Sequence, residues 1–224
     1  MIDGINVWKA IYETFLMVVI STSLAYLVGL PLGVILNITS KNGLKPNKIV
    51  NTILGVIVNF LRSIPCLILT VILIPLNRAI FQTASGKWYT MIIPLFFSSF
   101  AYVSRIVEQS LNEVDNGEIE AIKSMGASDF FIVRKVMLVE TRSSLIIGVG
   151  VTLVNVIGYT SFAYNLGAGG LISQIWSYYS KHTANFTKQW LFWLLIILVV
   201  IFVQIFQEVS LFIAKKIDRR RKLQ

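Results

Sequence analysis

The chain has 224 residues, of which 55% are hydrophobic and 14% are charged, and its mean hydropathy is +0.73. A soluble domain carries about 25% charged residues, so this composition excludes an ordinary soluble domain and predicts a membrane-embedded protein. The single cysteine, Cys66, excludes a disulfide framework. Most basic residues flank apolar segments, so the net charge of +9 predicts anchors at a lipid surface and no nucleic acid partner.

Five segments are apolar and long enough to cross a bilayer, which requires about 20 residues of helix. Residues 1–13 contain one lysine, and no small-residue cleavage pattern follows the first apolar segment, so we expect that segment to be a retained span. The predicted spans are 15–36, 53–76, 88–107, 143–164 and 190–214.

The second predicted span is interrupted by Arg62, Ser63 and Pro65. Proline lacks a backbone donor and clashes with the preceding turn, so we expect a bend at Pro65 that exposes backbone groups to a polar solute. A charged residue at membrane depth costs at least about 2.5 kcal/mol unless it is paired or hydrated. Arg62 therefore either extends to the inner headgroups or binds a neighbouring helix and lines a polar path, with Glu108, Glu113 or a helix C-terminus as its partner.

A polar segment, residues 114–140, separates the third and fourth spans. It begins with a predicted turn at Asp115–Gly117, followed by a helix over Glu118–Met125 that ends at a left-handed Gly126. Ser128 is a suitable N-cap for a second helix over Asp129–Leu138. The pattern predicts a helical hairpin at the membrane surface, which by itself could serve only to join the two spans.

The fourth span carries small residues that allow helices to approach closely, either within one subunit or against a second copy. In the second case Asn155, Gly158, Tyr159 and Ser161 would line a central pathway. The glycine-rich segment 167–170, which includes Gly167 and Gly169, is too flexible to continue the helix. It predicts a bend at the outer mouth, which could form part of a gate.

Lysine and arginine predict the orientation of the chain. Fourteen of the twenty fall on one side of the five spans and five on the other, with Arg62 left out. The richer side is predicted to be the cytoplasm, which places the N-terminus outside and the C-terminus inside. The basic tail after the last span is predicted to contact lipid headgroups, and it contains Lys215, Lys216, Arg219, Arg220, Arg221 and Lys222.

The polar segment resembles the EAA loop of ABC importer permeases. The resemblance lies in Glu120 and Ala121 with Gly126 six residues after the glutamate; Ile122 replaces the usual second alanine, and Val139 replaces a proline. In that family the loop forms a coupling helix that docks in a cleft of a cytoplasmic ATPase. The resemblance implies that the ATPase is contacted by Glu120, Ala121, Met125, Gly126, Ala127 and Ser128.

Further segments resemble the methionine-uptake branch of this family, whose permeases have five helices per subunit. These segments are residues 59–65, which include Arg62-Ser63-Ile64-Pro65, then 74–75, 158–161 and 167–171. The resemblance implies an all-α polytopic protein, a single transmembrane domain over 1–224, with five spans and a coupling helix between the third and fourth. It also implies a homodimer, two ABC ATPase subunits, an external methionine-binding protein or lipoprotein, and a location in the bacterial cytoplasmic membrane.

The chain has no Gly-x4-Gly-Lys-Ser/Thr phosphate loop, so we expect no bound cofactor and no enzymatic activity here, with ATP and Mg²⁺ bound by the partner ATPase. The alternatives are a permease for another small amino acid or an osmolyte, an intramembrane enzyme, and a secondary transporter. An intramembrane enzyme needs a constellation such as paired aspartates, and a secondary transporter usually has repeated spans. The sequence contains neither, and the lone His182 has no partners at metal spacing.

Overall fold

A computed structural model of the chain describes residues 6–181 and 190–218, and all regular secondary structure in those ranges is helical. His182, Lys188 and the last four residues of the predicted basic cluster, Arg219 to Lys222, lie outside the described residues. The helices are α1 (Val7–Thr39), α2 (Lys48–Ser63), α3 (Cys66–Ile72), α4 (Ile74–Phe81), α5 (Ile92–Leu111), α6 (Asn116–Ser124), α7 (Asp129–Phe131), α8 (Leu138–Glu140), α9 (Arg142–Tyr159), α10 (Leu171–Lys181) and α11 (Trp190–Ile217). Two 3₁₀ segments, Trp88–Met91 and Thr160–Leu166, precede α5 and follow α9, and a π-helical segment, Ile132–Met137, joins α7 to α8.

Four helical segments among the described residues are long and apolar enough to cross a membrane, namely α1, Trp88–Leu111, Arg142–Leu166 and α11. The bent pair formed by α2 and α3 is a fifth if it counts as one span. The fold is therefore all-helical, with four to five candidate spans. Each of the four long segments extends past the predicted span at one or both ends, because polar end residues continue the backbone hydrogen bonds beyond the apolar stretch.

The predicted second span, 53–76, is not one continuous helix. Helix α2 ends at Ser63, and α3 begins after Pro65 in a direction that differs by 96°. Ile64 between them is extended, since a proline disfavours helical backbone in the residue before it and supplies no backbone donor. A further break at Leu73 separates α3 from α4.

Helices α1 and α5 pack closely because α1 presents two glycines four residues apart. A Cβ atom on Gly29 would lie 2.8 Å from the Phe100 carbonyl oxygen, and one on Gly33 would lie 2.5 Å from the Ser104 carbonyl oxygen. Only hydrogen atoms fit at these two positions, so the backbones come into near contact.

The described residues form three core clusters. Two of them lie between α1, α5 and α9, one toward the loop after α9 and one toward the polar hairpin. The first includes Met17, Cys66, Leu95, Val156 and Ala168, and the second includes Leu36, Phe100, Val107, Leu111, Ile132 and Met137. A small third one between α1, α10 and α11 includes Ala10 and Tyr178. Helix α11 packs on α9 but leaves many large apolar side chains exposed, as suits contact with lipid or a second membrane protein.

Candidate coupling surface and transport path

The polar segment folds as a helical hairpin at one end of the bundle. The Asp115 carboxylate accepts a hydrogen bond from the Gly117 amide at 2.7 Å, which caps α6. Residues 115–117, which were predicted to form a turn, therefore form the start of α6, because helix caps and turns favour the same residue types. Gly126, at φ +85°, ends the helix as predicted, and the Ser128 hydroxyl accepts from the Phe131 amide at 3.3 Å as the next N-cap.

The second helix of the hairpin, predicted over Asp129–Leu138, is α-helical only at its ends. Its middle, Ile132–Met137, is π-helical. A π-helical turn bonds each amide to the carbonyl five residues back and is short, so six such residues inside a helical stretch leave no distinct apolar pattern in the sequence. π-Helical turns often mark functional sites, and this one separates the hairpin from α9.

The tip of the hairpin exposes large apolar side chains in an otherwise polar segment. Met125 is 78% exposed and Phe130 is 72% exposed, and Phe131 beside them is also exposed. Exposed apolar groups rimmed by polar ones mark a protein or membrane contact. The polar rim here comprises Glu118, Glu120, Lys123 and Ser124.

The opposite side of α6 attaches the hairpin to the core. Ile119 and Ile122 pack against the second core cluster, as does Ala127, while Glu120 and Ala121 remain exposed. The departure from the EAA pattern at Ile122 therefore falls on the inner side of α6. A larger apolar residue there adds buried area and leaves the exposed side of α6 unchanged.

The loop between α1 and α2 also holds the hairpin. Lys45 Nζ lies 3.2 Å and Lys123 Nζ 4.0 Å from the Asp129 carboxylate, and Lys123 donates to the Leu44 carbonyl at 3.4 Å. A cleft of about 720 Å³ opens between this loop and α6. Sequence reasoning did not identify the contacts that Lys45 and Leu44 make with the hairpin, because the partners are distant along the chain.

The start of α9 is fastened to its neighbours just beyond the hairpin. Arg142 donates to the Ile217 carbonyl at 2.8 Å, and Ser143 donates to the Ala214 carbonyl at 3.3 Å, both at the end of α11. Ser144 donates to the Glu113 carboxylate at 2.7 Å, just after α5. A displacement of the hairpin would therefore act on three long helices together.

Arg62 lies at the end of α2, where it is exposed and its guanidinium carbon is 5.9 Å from the centroid of the Tyr102 ring on α5. The predicted ionic partners are wrong in this structure: Glu108 pairs with Arg105, and Glu113 accepts from Ser144. A cation–π contact satisfies Arg62 because α5 presents an aromatic face where the sequence suggested a carboxylate. That Arg62 ties the second span to a neighbouring helix stays a prediction, and the contact with Tyr102 on α5 supports it.

A second arginine, Arg105, joins α2 and α5 more extensively. It donates to the Asn59 side chain at 2.8 Å and to the Gly55 carbonyl at 3.2 Å, and it pairs with Glu108. The two acceptors on α2, Asn59 and Gly55, hold α5 against α2 one to two turns before the bend, while the pair with Glu108 lies within α5.

The candidate path residues of the fourth span occupy different environments. Asn155 is half-buried and lines a cleft of about 240 Å³ between α9 and α11, whereas Gly158 is exposed and a Cβ atom added there would have no neighbour within 4 Å. Tyr159 packs on the core cluster that contains Cys66, which follows Pro65. Ser161 lies in the 3₁₀ segment and is half-buried. The structure thus brings Tyr159 near the bend after Arg62 and Ser63 but leaves Gly158 facing outward.

The glycine segment after α9 forms a loop with left-handed backbone. Gly167, Gly169 and Gly170 have φ values of +60°, +83° and +88°. The loop lies against Glu13 and Thr14 of α1. Neither α1 residue was singled out by sequence reasoning, since a Glu-Thr pair near the start of a span resembles an ordinary interfacial position.

No group of three or more His, Cys, Asp or Glu side chains within residues 6–181 and 190–218 could hold a metal ion. The arginines at the second and third spans instead contact an aromatic ring, a carboxylate or backbone carbonyls. The arrangement can bind a partner protein at the hairpin and transmit movement to helices.

The chain matches a protein family described as "Binding-protein-dependent transport system inner membrane component" over residues 29–221. It is 39% identical over 211 residues to the "Probable D-methionine transport system permease protein MetI" of Haemophilus influenzae, covering 94% of this chain and 97% of that protein. It is 36% identical over 220 residues to the "Methionine import system permease protein MetP" of Bacillus subtilis, covering 98% of this chain and 96% of that protein.

The fold also matches a solved structure described as "Inward facing conformations of the MetNI methionine ABC transporter". The sequence identity is 33%, the TM-score is 0.88, and the match covers 95% of this chain and 96% of that chain. The similarity therefore extends over nearly the whole described fold.

Proposed function

The chain belongs to the family of inner membrane components of binding-protein-dependent transport systems, and from this premise we propose that it is the permease subunit of an ATP-driven methionine importer. The L- or D-form of methionine, or both, is the proposed substrate. The relatives at 36–39% identity are named for methionine or D-methionine transport and cover nearly the whole chain, which supports this choice. The alternative is a permease for another small amino acid.

The observation that carries the proposal is the exposed apolar tip of the hairpin on a rigidly anchored helix. Met125 and Phe130 would be unfavourable in water without a partner, and the core contacts of Ile119 and Ile122 fix how they are presented. We propose that this tip, with Glu120, Ala121, Gly126, Ala127 and Ser128, docks in a cleft of a cytoplasmic ATPase subunit. ATP and Mg²⁺ are bound by that partner.

The proposed assembly contains two copies of this chain, two ATPase subunits and an external methionine-binding protein or lipoprotein, in the bacterial cytoplasmic membrane. We count α2 and α3 as one broken span, which gives five spans in one domain with the N-terminus outside and the C-terminus in the cytoplasm. The exposed Gly158, with no neighbour from the described part of its own chain, supports a second copy at this face of α9. The proposed path and gate comprise Arg62, Ser63, Pro65, Asn155, Gly158, Tyr159, Ser161, Gly167 and Gly169.

Transport follows from the way the hairpin is connected. When two ATPases close on ATP, each docked hairpin moves with its ATPase. The π-helical segment and the bonds of Arg142 and Ser143 to α11 transmit this movement to α9 and α11. The spans then open outward to receive methionine from the binding protein, and hydrolysis restores the inward-open arrangement.

The test is ATP hydrolysis by the complete complex reconstituted in lipid with its ATPase and binding protein. Methionine-loaded binding protein should stimulate hydrolysis, and Phe130→Ala should reduce co-purification of the ATPase, because it removes a large apolar contact. Phe212→Ala, which removes a similarly exposed ring from α11 outside the hairpin, is the control for loss of an aromatic side chain. Stimulation by another small amino acid but not by methionine would support the alternative, and an ATPase that never co-purifies would contradict the importer function.

A further inference from the structure

A carboxylate and a hydroxyl of α1 cap the first amides of α10. Glu13 is only 9% exposed, and its Oε2 accepts a hydrogen bond from the Gly170 amide at 3.1 Å. The next residue, Thr14, accepts from the Leu171 amide at 2.8 Å while its hydroxyl donates to the Ala10 carbonyl at 3.0 Å. Two consecutive residues of the first helix thus satisfy two consecutive amides that lie 157 residues further along the chain.

The glycine loop fits against these side chains only because it has none of its own. A Cβ atom on Gly169 would overlap the Glu13 carboxylate, and one on Gly170 would lie 2.8 Å from Met17 Cε. Both glycines also have left-handed backbone, which other residues adopt at a cost. Sterics and backbone conformation therefore both specify glycine where the loop meets α1.

Electrostatics favour the same arrangement. The N-terminus of a helix carries a partial positive charge, so a carboxylate there is stabilised. Lys9 Nζ lies 3.8 Å from Glu13 Oε1, one turn earlier on α1, and supplies the other charge partner. A largely buried carboxylate with one amide donor and one nearby ammonium is held in place, whereas a single change that removes either partner leaves it unsatisfied.

We propose that Glu13 and Thr14 are positioning residues of an outer gate, which hold the loop 167–170 against α1 while the path is closed to the outside and release it when the complex opens outward. This inference rests on the proposed function and on the N-terminus being outside. The fold matches an inward-facing transporter at a TM-score of 0.88, and in an inward-facing state the outer end is the closed one. Water replaces hydrogen bonds to amides at small net cost, so such contacts can be broken and remade in each cycle.

Hydrogen exchange on the wild-type complex in lipid nanodiscs tests the release directly. The amides of Gly170 and Leu171 donate to α1, so peptides covering residues 167–175 should exchange slowly without nucleotide. With a non-hydrolysable ATP analogue, which favours the outward-open state, we expect exchange about tenfold faster. Equal exchange in the two states would overturn the gate.

Variants separate a gate from a structural contact. Glu13→Ala removes the acceptor, so it should give fast exchange without nucleotide and raise basal ATP hydrolysis about three- to tenfold, because outward opening no longer requires release of the loop. Glu13→Gln keeps an acceptor, so its exchange rate and its basal ATP hydrolysis should lie between those of Glu13→Ala and wild type. Glu208→Ala, which removes an exposed carboxylate of α11, is the matched control and should leave both measurements unchanged.

Two results would overturn the role of Glu13 as a hydrogen-bonding positioning residue of the gate. If Glu13→Ala speeds exchange but leaves basal ATP hydrolysis at the wild-type rate, the contact is only structural. If Glu13→Gln behaves as Glu13→Ala in both measurements, a hydrogen-bond acceptor at this position is not what matters. A wild-type complex that hydrolyses no ATP would instead overturn the proposed function and this inference with it, so the two failures are distinguishable.

Discussion

At the scale of single residues, Gly126 has the clearest backbone requirement in the hairpin. Its φ is +85°, and a Cβ there would meet nothing within 4 Å, so any cost of substitution is conformational. We expect Gly126→Ala to destabilise the turn by about 1–2 kcal/mol, the cost of a left-handed backbone in an L-residue, and to lower substrate-stimulated ATP hydrolysis. Gly126→Asn is the control, since asparagine tolerates this conformation; equal loss in both variants would contradict the conformational explanation.

The contact between Arg62 and Tyr102 gives a second prediction at this scale. The contact joins α2 to α5 beside the bend, and a cation–π pair contributes about 0.5–2 kcal/mol. Arg62→Ala and Tyr102→Leu should therefore reduce methionine uptake more than they reduce the amount of protein in the membrane. Tyr102→Phe keeps the ring and should retain uptake, as measured by transport assay and quantitative blot. Uptake that falls only in proportion to expression would reduce Arg62 to a folding role.

At the scale of elements, the approach of α1 to α5 depends on a glycine pair. A methyl group on Gly33 would meet a backbone oxygen and the Val107 side chain at 2.5–2.6 Å, and a backbone atom cannot move aside. We expect Gly33→Ala to destabilise the protein by about 1–3 kcal/mol, the usual cost of overpacking, in detergent unfolding experiments. Gly55→Ala is the control, because its methyl group would lie at an ordinary 3.5 Å from Arg105. A Gly33→Ala variant as stable as Gly55→Ala would show that the two helices are not in near contact.

The long helices could be predicted because a bilayer demands a long apolar stretch, and the caps at Gly126 and Ser128 could be predicted because few residues suit those positions. The partners that individual side chains contact could not be predicted from the sequence. Arg62 contacts an aromatic ring that was not among its candidate partners, and Glu13 caps a helix 157 residues away, and neither pairing leaves a local pattern. The π-helical segment was also missed, because six residues are too few for a change of helical period to show in the apolar pattern.

At the scale of the whole molecule, the polar contacts lie at the two ends of an apolar bundle. At one end the hairpin is held by the loop between α1 and α2, and at the other the glycine loop is held by α1. The two larger core clusters lie between them and share α1, α5 and α9. A movement imposed on the hairpin therefore has a rigid path, through the same helices, to the loop at the far end.

The side of the membrane on which each end of the bundle lies depends on whether the bent pair α2 and α3 crosses the membrane or returns to the side it came from. A crossing places Asn42, before α2, in the cytoplasm and Ser85, after α4, outside, whereas a re-entrant pair would place both on one side. Both residues are exposed, so each can be replaced by cysteine in a Cys66→Ala background. We expect a membrane-impermeant maleimide to label Ser85→Cys in intact cells and Asn42→Cys only after permeabilisation, because the excess of basic residues keeps the loop at 41–48 inside. Labelling of both in intact cells, or of neither, would contradict a crossing and leave four spans, with both ends of the chain on the same side.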